Sequence, residues 1–194
     1  MTTLTTPLDV TRIKVDYLAC ASYKWLLGPY SLGFLYAAEQ HHGGEPIDYN
    51  WITRERSEDF AGLVDYRDGY QPGARRYDMG ERASFVLLPM VTAALEQLLA
   101  WTPEAIMATL AAITDRIADH APELGVTVAP RALRAAHIAG LRFNDGMPAG
   151  LVEQLREHKI YVSVRGQTMR IAPHVFVNAA DVDRLLGALR RSAR

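Results

Sequence analysis

Lys24 stands between two apolar runs, 15–21 and 32–37, in the stretch Ser22-Tyr23-Lys24-Trp25, with Gly28-Pro29 and Gly33 following. A lysine set among Tyr23, Trp25, Leu26 and Leu27 is expected to be partly desolvated. Desolvation favours the free amine, which can act as a nucleophile or a base. The plainer reading is a loop lysine with its head in water. A second chemical group is Arg170. Ile160, Val162 and Val164 alternate with Tyr161, Ser163 and Arg165, a turn follows at Gly166-Gln167, and then comes Thr168-Met169-Arg170-Ile171-Ala172. Period-two geometry puts Met169 and Ile171 on one face and Arg170 on the other. A guanidinium there can donate two parallel hydrogen bonds to a carboxylate, or can simply be a strand arginine facing solvent.

Other chemistry-bearing types carry less. His41 and His42 are adjacent, and adjacent histidines seldom converge on one metal, so none is expected. Trp51 either lines a pocket or anchors the irregular segment 47–73, a connection long enough to shape a site. No Gly-Lys-Ser/Thr follows Gly28 and no Gly-x-Ser-x-Gly elbow exists, which argues against a nucleotide loop and a serine hydrolase.

The elements that must hold these groups are legible in outline. The runs 15–21 and 32–37 read as strands buried on both faces, as in a parallel sheet, whose end is where open α/β folds place ligands. Phe85, Leu88, Leu95 and Leu99 fall at helical spacing. A boundary is expected near Ala100, dividing the chain into 1–100 and 101–194. Thr102-Pro103-Glu104 is a helix start, followed by a stripe of Ile106, Leu110, Ile113 and Ile117. Strands are expected at 126–128 and 137–143, and a helix at 148–158. Asn178 is placed to cap a last helix whose Val182, Leu185, Leu186 and Leu189 face the core.

Composition narrows the class. The 194 residues carry a net charge of -1, 49% hydrophobic residues and one cysteine. That charge argues against nucleic-acid and membrane-surface partners. No apolar run approaches the roughly 20 residues that span a bilayer. Residues 1–9 lack a basic start and a long apolar run, so no signal peptide is expected. A single cysteine allows no internal disulfide, which fits a cytoplasmic location.

Asp16, the apolar run 17–20, Ala21 and Ser22, Lys24, Gly28-Pro29 and Gly33-Phe34-Leu35-Tyr36 together resemble the pyridoxal-phosphate lysine site of the class V aminotransferases. These are fold-type I enzymes that include cysteine desulfurases, kynureninases and isopenicillin N epimerase-like proteins. The likeness extends through Arg76-Tyr77-Asp78-Met79-Gly80 and Arg170-Ile171-Ala172-Pro173-His174. It implies an α/β fold: residues 1–100 as the C-terminal part of the large domain with its mostly parallel sheet, and 101–194 as a small C-terminal α+β domain. It implies pyridoxal 5'-phosphate held by Lys24 as a Schiff base, Ser22 donating to the cofactor phosphate, and Arg170 binding the α-carboxylate of an amino acid substrate in a homodimer. Tyr23, Ser31 and Glu81 depart from the family pattern, Ser31 where glycine is usual and Glu81 where threonine is. The only cysteine, Cys20, lies in the lysine strand, which points away from desulfurases and toward the epimerase and aminotransferase branch. The family's pyridine-pairing aspartate would fall near the first residues, which hold none. A C-terminal half of a longer enzyme is therefore expected, or else a non-catalytic remnant or interaction domain of that fold.

Overall fold

The structure is a computed structural model and describes residues 8–192. The stretch 1–7, on which the missing-aspartate expectation falls, lies outside the described residues. The chain divides into two compact units, one ending at Ala100 and the other starting at Trp101.

In the first unit a short helix α1 (Val10–Ile13) is capped by the Asp9 carboxylate, which accepts from the Thr11 amide. Strands β1 (Tyr17–Ala21) and β2 (Gly33–Ala37) follow, and after an irregular segment comes helix α2 (Leu87–Trp101). β1 and β2 pair antiparallel, from Tyr17 opposite Ala37 to Ala21 opposite Gly33. The doubly buried parallel strands expected here are thus a hairpin with much of its apolar surface open. A parallel crossover needs roughly a dozen residues or more, usually a helix, and the connection 22–32 is a compact loop instead. Both faces of each strand are apolar, so the pattern cannot distinguish a covered sheet from a bare one. α2 also departs from expectation. It buries Val91 and Leu98, whereas Phe85 (88% exposed), Leu88 and Leu99 face outward. The sequence Leu-Leu-Pro-Met-Val-Thr-Ala-Ala-Leu is apolar around the whole helix, so several stripes compete on equal terms.

The second unit is α+β. Its sheet runs β3 (Val126–Thr127), β4 (Ala139–Phe143), β6 (Thr168–Ile171) and β5 (Ser163–Arg165) in spatial order 3-4-6-5, all antiparallel. Helices α3 (Pro103–Asp119), α4 (Leu151–Glu157) and α5 (Ala179–Ser192) complete the core. Thr102 caps α3 by accepting from the Ala105 amide. Asn178 and Asp181 cap α5 reciprocally, each side chain accepting from the other's amide at 3.1 Å. Leu141, Met169, Leu151, Leu155 and Leu186 are essentially inaccessible and form the centre of the core. Burying side chains of this size contributes about 1.5–3 kcal/mol each.

Candidate active site

The lysine loop is the hairpin connection 22–32. It is closed by four hydrogen bonds centred on Ser22. The Ser22 amide donates to the Leu32 carbonyl and the Gly28 amide donates to the Ser22 carbonyl, both at 3.0 Å. The Ser22 hydroxyl lies 2.5 Å from the Pro29 carbonyl oxygen and 2.8 Å from that of Leu32. Ser22 and Leu26 are fully buried beneath the loop. A turn closed by the Leu27 amide on the Lys24 carbonyl, at 3.2 Å, puts Lys24 at the outer corner. Its ammonium rests 5.2 Å from the Tyr23 ring centroid, and Tyr23 stacks on Tyr30 at 4.4 Å.

Two expectations change here. Lys24 is exposed rather than partly desolvated, because the apolar neighbours divide: Leu26 turns inward while Leu27 and Tyr23 turn outward. Ser22 does not meet the expected geometry of a phosphate donor. It is 0% exposed and its one hydroxyl proton is directed at loop carbonyls, so it works as the clamp that fixes the corner carrying Lys24.

Ser31 and Leu27 both hold left-handed backbone, with φ of 65° and 55°. The position where the family favours glycine therefore has the conformation glycine serves, and here a serine adopts it.

Arg170 lies in the second unit, on β6, opposite Gly140 and Ser163 in register. Met169 and Ile171 are buried and Arg170 is half-buried on the other face, as the alternation required. Its Nε donates to the Ser163 hydroxyl at 3.1 Å, which orients the guanidinium plane. The Val175 amide donates to His174 Nδ1 at 2.9 Å, and the ring stacks on Phe176.

Sequence spacing missed one cluster. Asp16, at the entry of β1, meets His41 Nε2 at 2.7 Å and the Gln40 amide at 3.1 Å. His41 stacks on Tyr17 at 4.8 Å, and the Tyr77 hydroxyl donates to the His41 carbonyl. These hydrogen bonds hold the Asp16 carboxyl below its ordinary value, that from His41 contributing most. His42 turns away, toward the Ala37 carbonyl. Trp51 meets Phe60 edge-on at 5.9 Å. Arg82 pairs with Asp78.

No family model matches the chain. It is 28% identical over 198 residues to isopenicillin N epimerase of Streptomyces clavuligerus, covering 94% of this chain and 48% of the relative. Its fold matches the lyase C-DES, solved as a mutant with glycine covalently linked to the PLP cofactor, at TM-score 0.80 and 21% identity over 96% of this chain and 48% of that one. It matches an apo cysteine desulfurase from Thermococcus onnurineus at TM-score 0.77 and 20% identity, over 96% and 49%. It also matches alanine–glyoxylate aminotransferase from Nostoc sp. at 0.68 and 16%, over 100% and 52%. The chain spans about half the length of the relatives it matches. It has the fold of the fold-type I pyridoxal-phosphate enzymes and, in sequence, resembles their class V aminotransferase group through isopenicillin N epimerase.

Proposed function

We propose that this chain is the lysine-bearing part of a PLP-dependent, aminotransferase-like enzyme acting on a small-molecule amino acid, with Lys24 as its Schiff-base residue. The observation that carries this reading is the Lys24 amine. It is exposed, forms no ion pair among the described residues, and stands on a corner fixed from below by Ser22, Leu26 and Gly28. An amine so presented fits a cofactor aldehyde. When bound, that cofactor supplies an electron sink for charge at the substrate α-carbon. Lys24 then has two tasks, to anchor covalently and to move the α-proton once its amine is free. Arg170, its plane set by Ser163, orients the substrate carboxylate. Ser22 acts through loop position rather than by touching phosphate. The domain roles and a homodimeric assembly, for which the resemblance argues, belong to the same proposal.

A second reading, an interaction unit without catalysis, draws on a different observation. An apolar hollow of about 400 Å³ is lined by Leu8, Val10, Leu18, Cys20, Phe34 and Leu95 among others, and Tyr17, Phe34 and Tyr36 are exposed. Exposed apolar surface of this kind favours association. Among the described residues no helix is long and apolar enough to cross a membrane.

The test is an absorbance spectrum of the purified chain with added pyridoxal phosphate, before and after borohydride. A band between about 400 and 430 nm that borohydride traps, and that Lys24→Ala abolishes, is expected. An adduct indifferent to Lys24, or none at all, leaves the interaction unit as the surviving reading.

A further inference from the structure

We infer that the segment 47–73 builds a second ligand site, one that takes a zwitterionic amino acid with an apolar side chain and is independent of Lys24. The cavity there measures about 610 Å³, and no residue of the lysine loop lines it. That size is ordinary for a small-molecule site.

Its charges decide the ligand. Seven charged side chains of both signs line the wall, and four of them cancel in pairs: Arg56 with Asp59 at 3.2 Å, and Arg67 with Asp65 at 2.5 Å. Arg54, Glu55 and Asp68 remain, and none of the three forms an ion pair among the described residues. Arg54 is held in place without being neutralised. Its Nη1 donates to the Asp68 carbonyl at 2.6 Å, and its guanidinium sits 4.1 Å from the Tyr70 ring centroid. A planar fork fixed in this way is prepared for a carboxylate. Glu55 lies against Gly69, close enough that a Cβ there would stand 2.4 Å from the carboxyl carbon. One unpaired cation and two unpaired carboxylates share the cavity. A simple anion would meet Arg54 but face both acids, and a simple cation would leave Arg54 unmatched. A molecule with one carboxylate and one ammonium meets Arg54 and one acid, and leaves the other acid, exposed like its neighbour, to water. Trp51, Tyr49 and Tyr66 give the apolar wall, and their faces also suit an ammonium.

The wall is prefolded. Gln71 is buried and donates to Ser57 Oγ at 2.7 Å and to the Ile52 carbonyl at 3.1 Å, while Ser57 donates to the same carbonyl at 2.7 Å. The Gln71 amide donates to the Thr53 carbonyl and the Glu55 amide to the Gly69 carbonyl, so 53–57 and 69–71 are tied together. A site ordered before binding loses less entropy on binding.

The experiment titrates L-phenylalanine into the full chain without cofactor, followed by ligand-observed NMR, with phenylacetate and phenethylamine as the two half-ligands. L-Phenylalanine is expected to bind saturably with a millimolar Kd, and each half-ligand at least about tenfold more weakly. Arg54→Gln should weaken L-phenylalanine by about tenfold or more and leave phenethylamine nearly unchanged. Lys24→Ala should bind as the parent does. If Arg54→Gln does not fold, Glu55→Gln with Asp68→Asn carries the test, and should shift preference from L-phenylalanine to phenylacetate. Absence of saturation by L-phenylalanine, equal binding of a half-ligand, or loss of binding in Lys24→Ala overturns the proposal. The last outcome would assign the binding to the lysine site, and no outcome here bears on whether Lys24 holds a cofactor.

Discussion

Gly28 lies against Ser22 across the base of the lysine loop: its amide donates to the Ser22 carbonyl at 3.0 Å, and a Cβ on Gly28 would stand 2.8 Å from the Cβ of Ser22. The same added Cβ would come within 3.1 Å of Val91 on α2. The loop therefore rests on two supports, a buried hydroxyl that meets the Pro29 and Leu32 carbonyls and a glycine that lets backbone approach side chains. Ser22→Ala removes the donor to the Pro29 carbonyl and should cost about 1–3 kcal/mol. Gly28→Ala overpacks the same spot, at about 1–3 kcal/mol. Urea unfolding followed by tryptophan fluorescence reads both. A change within about 0.5 kcal/mol for either would mean that the loop is not held this way.

Ser31 offers the opposite outcome. Its φ of 65° lies where an L residue with a Cβ is strained by about 1–2 kcal/mol, and glycine is not. Glycine also adds chain entropy to the unfolded state, which offsets about half of the gain. Ser31→Gly should thus stabilise the first unit by about 0.5–1 kcal/mol. A thermal melt that moves down rather than up would refute the account.

Asp16 and His41 link the start of β1 to the turn after β2, 2.7 Å apart. Hydrogen bonds from His41 and then Gln40 lower the Asp16 carboxyl below 3.8. A carboxyl depressed in the folded state stabilises it above the unfolded value and loses that contribution as pH falls through the folded one. Acid unfolding below about pH 4 should therefore be less steep in Asp16→Asn than in the parent, although the Asp16 carboxylate is largely solvated and the effect fades with added salt. Carboxyl NMR of Asp16 should show a midpoint under 3.8, and a midpoint at or above that value would contradict the contact.

The second unit was the more legible in sequence, and the reason is that its patterns have single solutions. Met169 and Ile171 alternate with a charged Arg170, so one face only can be core. Thr102-Pro103-Glu104 and Asn178 are start signals with local partners, and the helices they begin bring Ile117, Val182, Leu185, Leu186 and Leu189 into one core. In the first unit the apolar residues of β1, β2 and α2 occupy every face, and periodicity then assigns no direction. The lysine and its glycines were visible as a motif. The task of Ser22 was readable in principle, since a small hydroxyl directly after a strand and before Gly28-Pro29 suits a loop clamp. Asp16 and His41 are too far apart in sequence for local spacing to join them, and the charge pattern around Arg54 becomes informative only once the pairs formed by Arg56 and Arg67 are known.

His137 sits two residues before β4 at 1% exposure, where Thr114, also buried, donates to the neighbouring Ala136 carbonyl at 2.9 Å. Burial lowers the imidazole below its ordinary 6.5, because the charged form is the one that loses hydration. The unfolded chain consequently binds the proton first. Between 6.5 and the lower folded value the unfolded state carries more protons, so stability is complete above 6.5 and declines as pH falls through that window. The second unit should unfold at lower urea at pH 5.5 than at pH 7.5. His137→Leu, which fills the space without a titrating group, should flatten that difference while His120, His158 and His174 are left in place. Site-resolved NMR of the imidazole settles the cause: its midpoint in the folded chain should lie under 6.5, and a ring that titrates at or above that value would detach the pH dependence from His137.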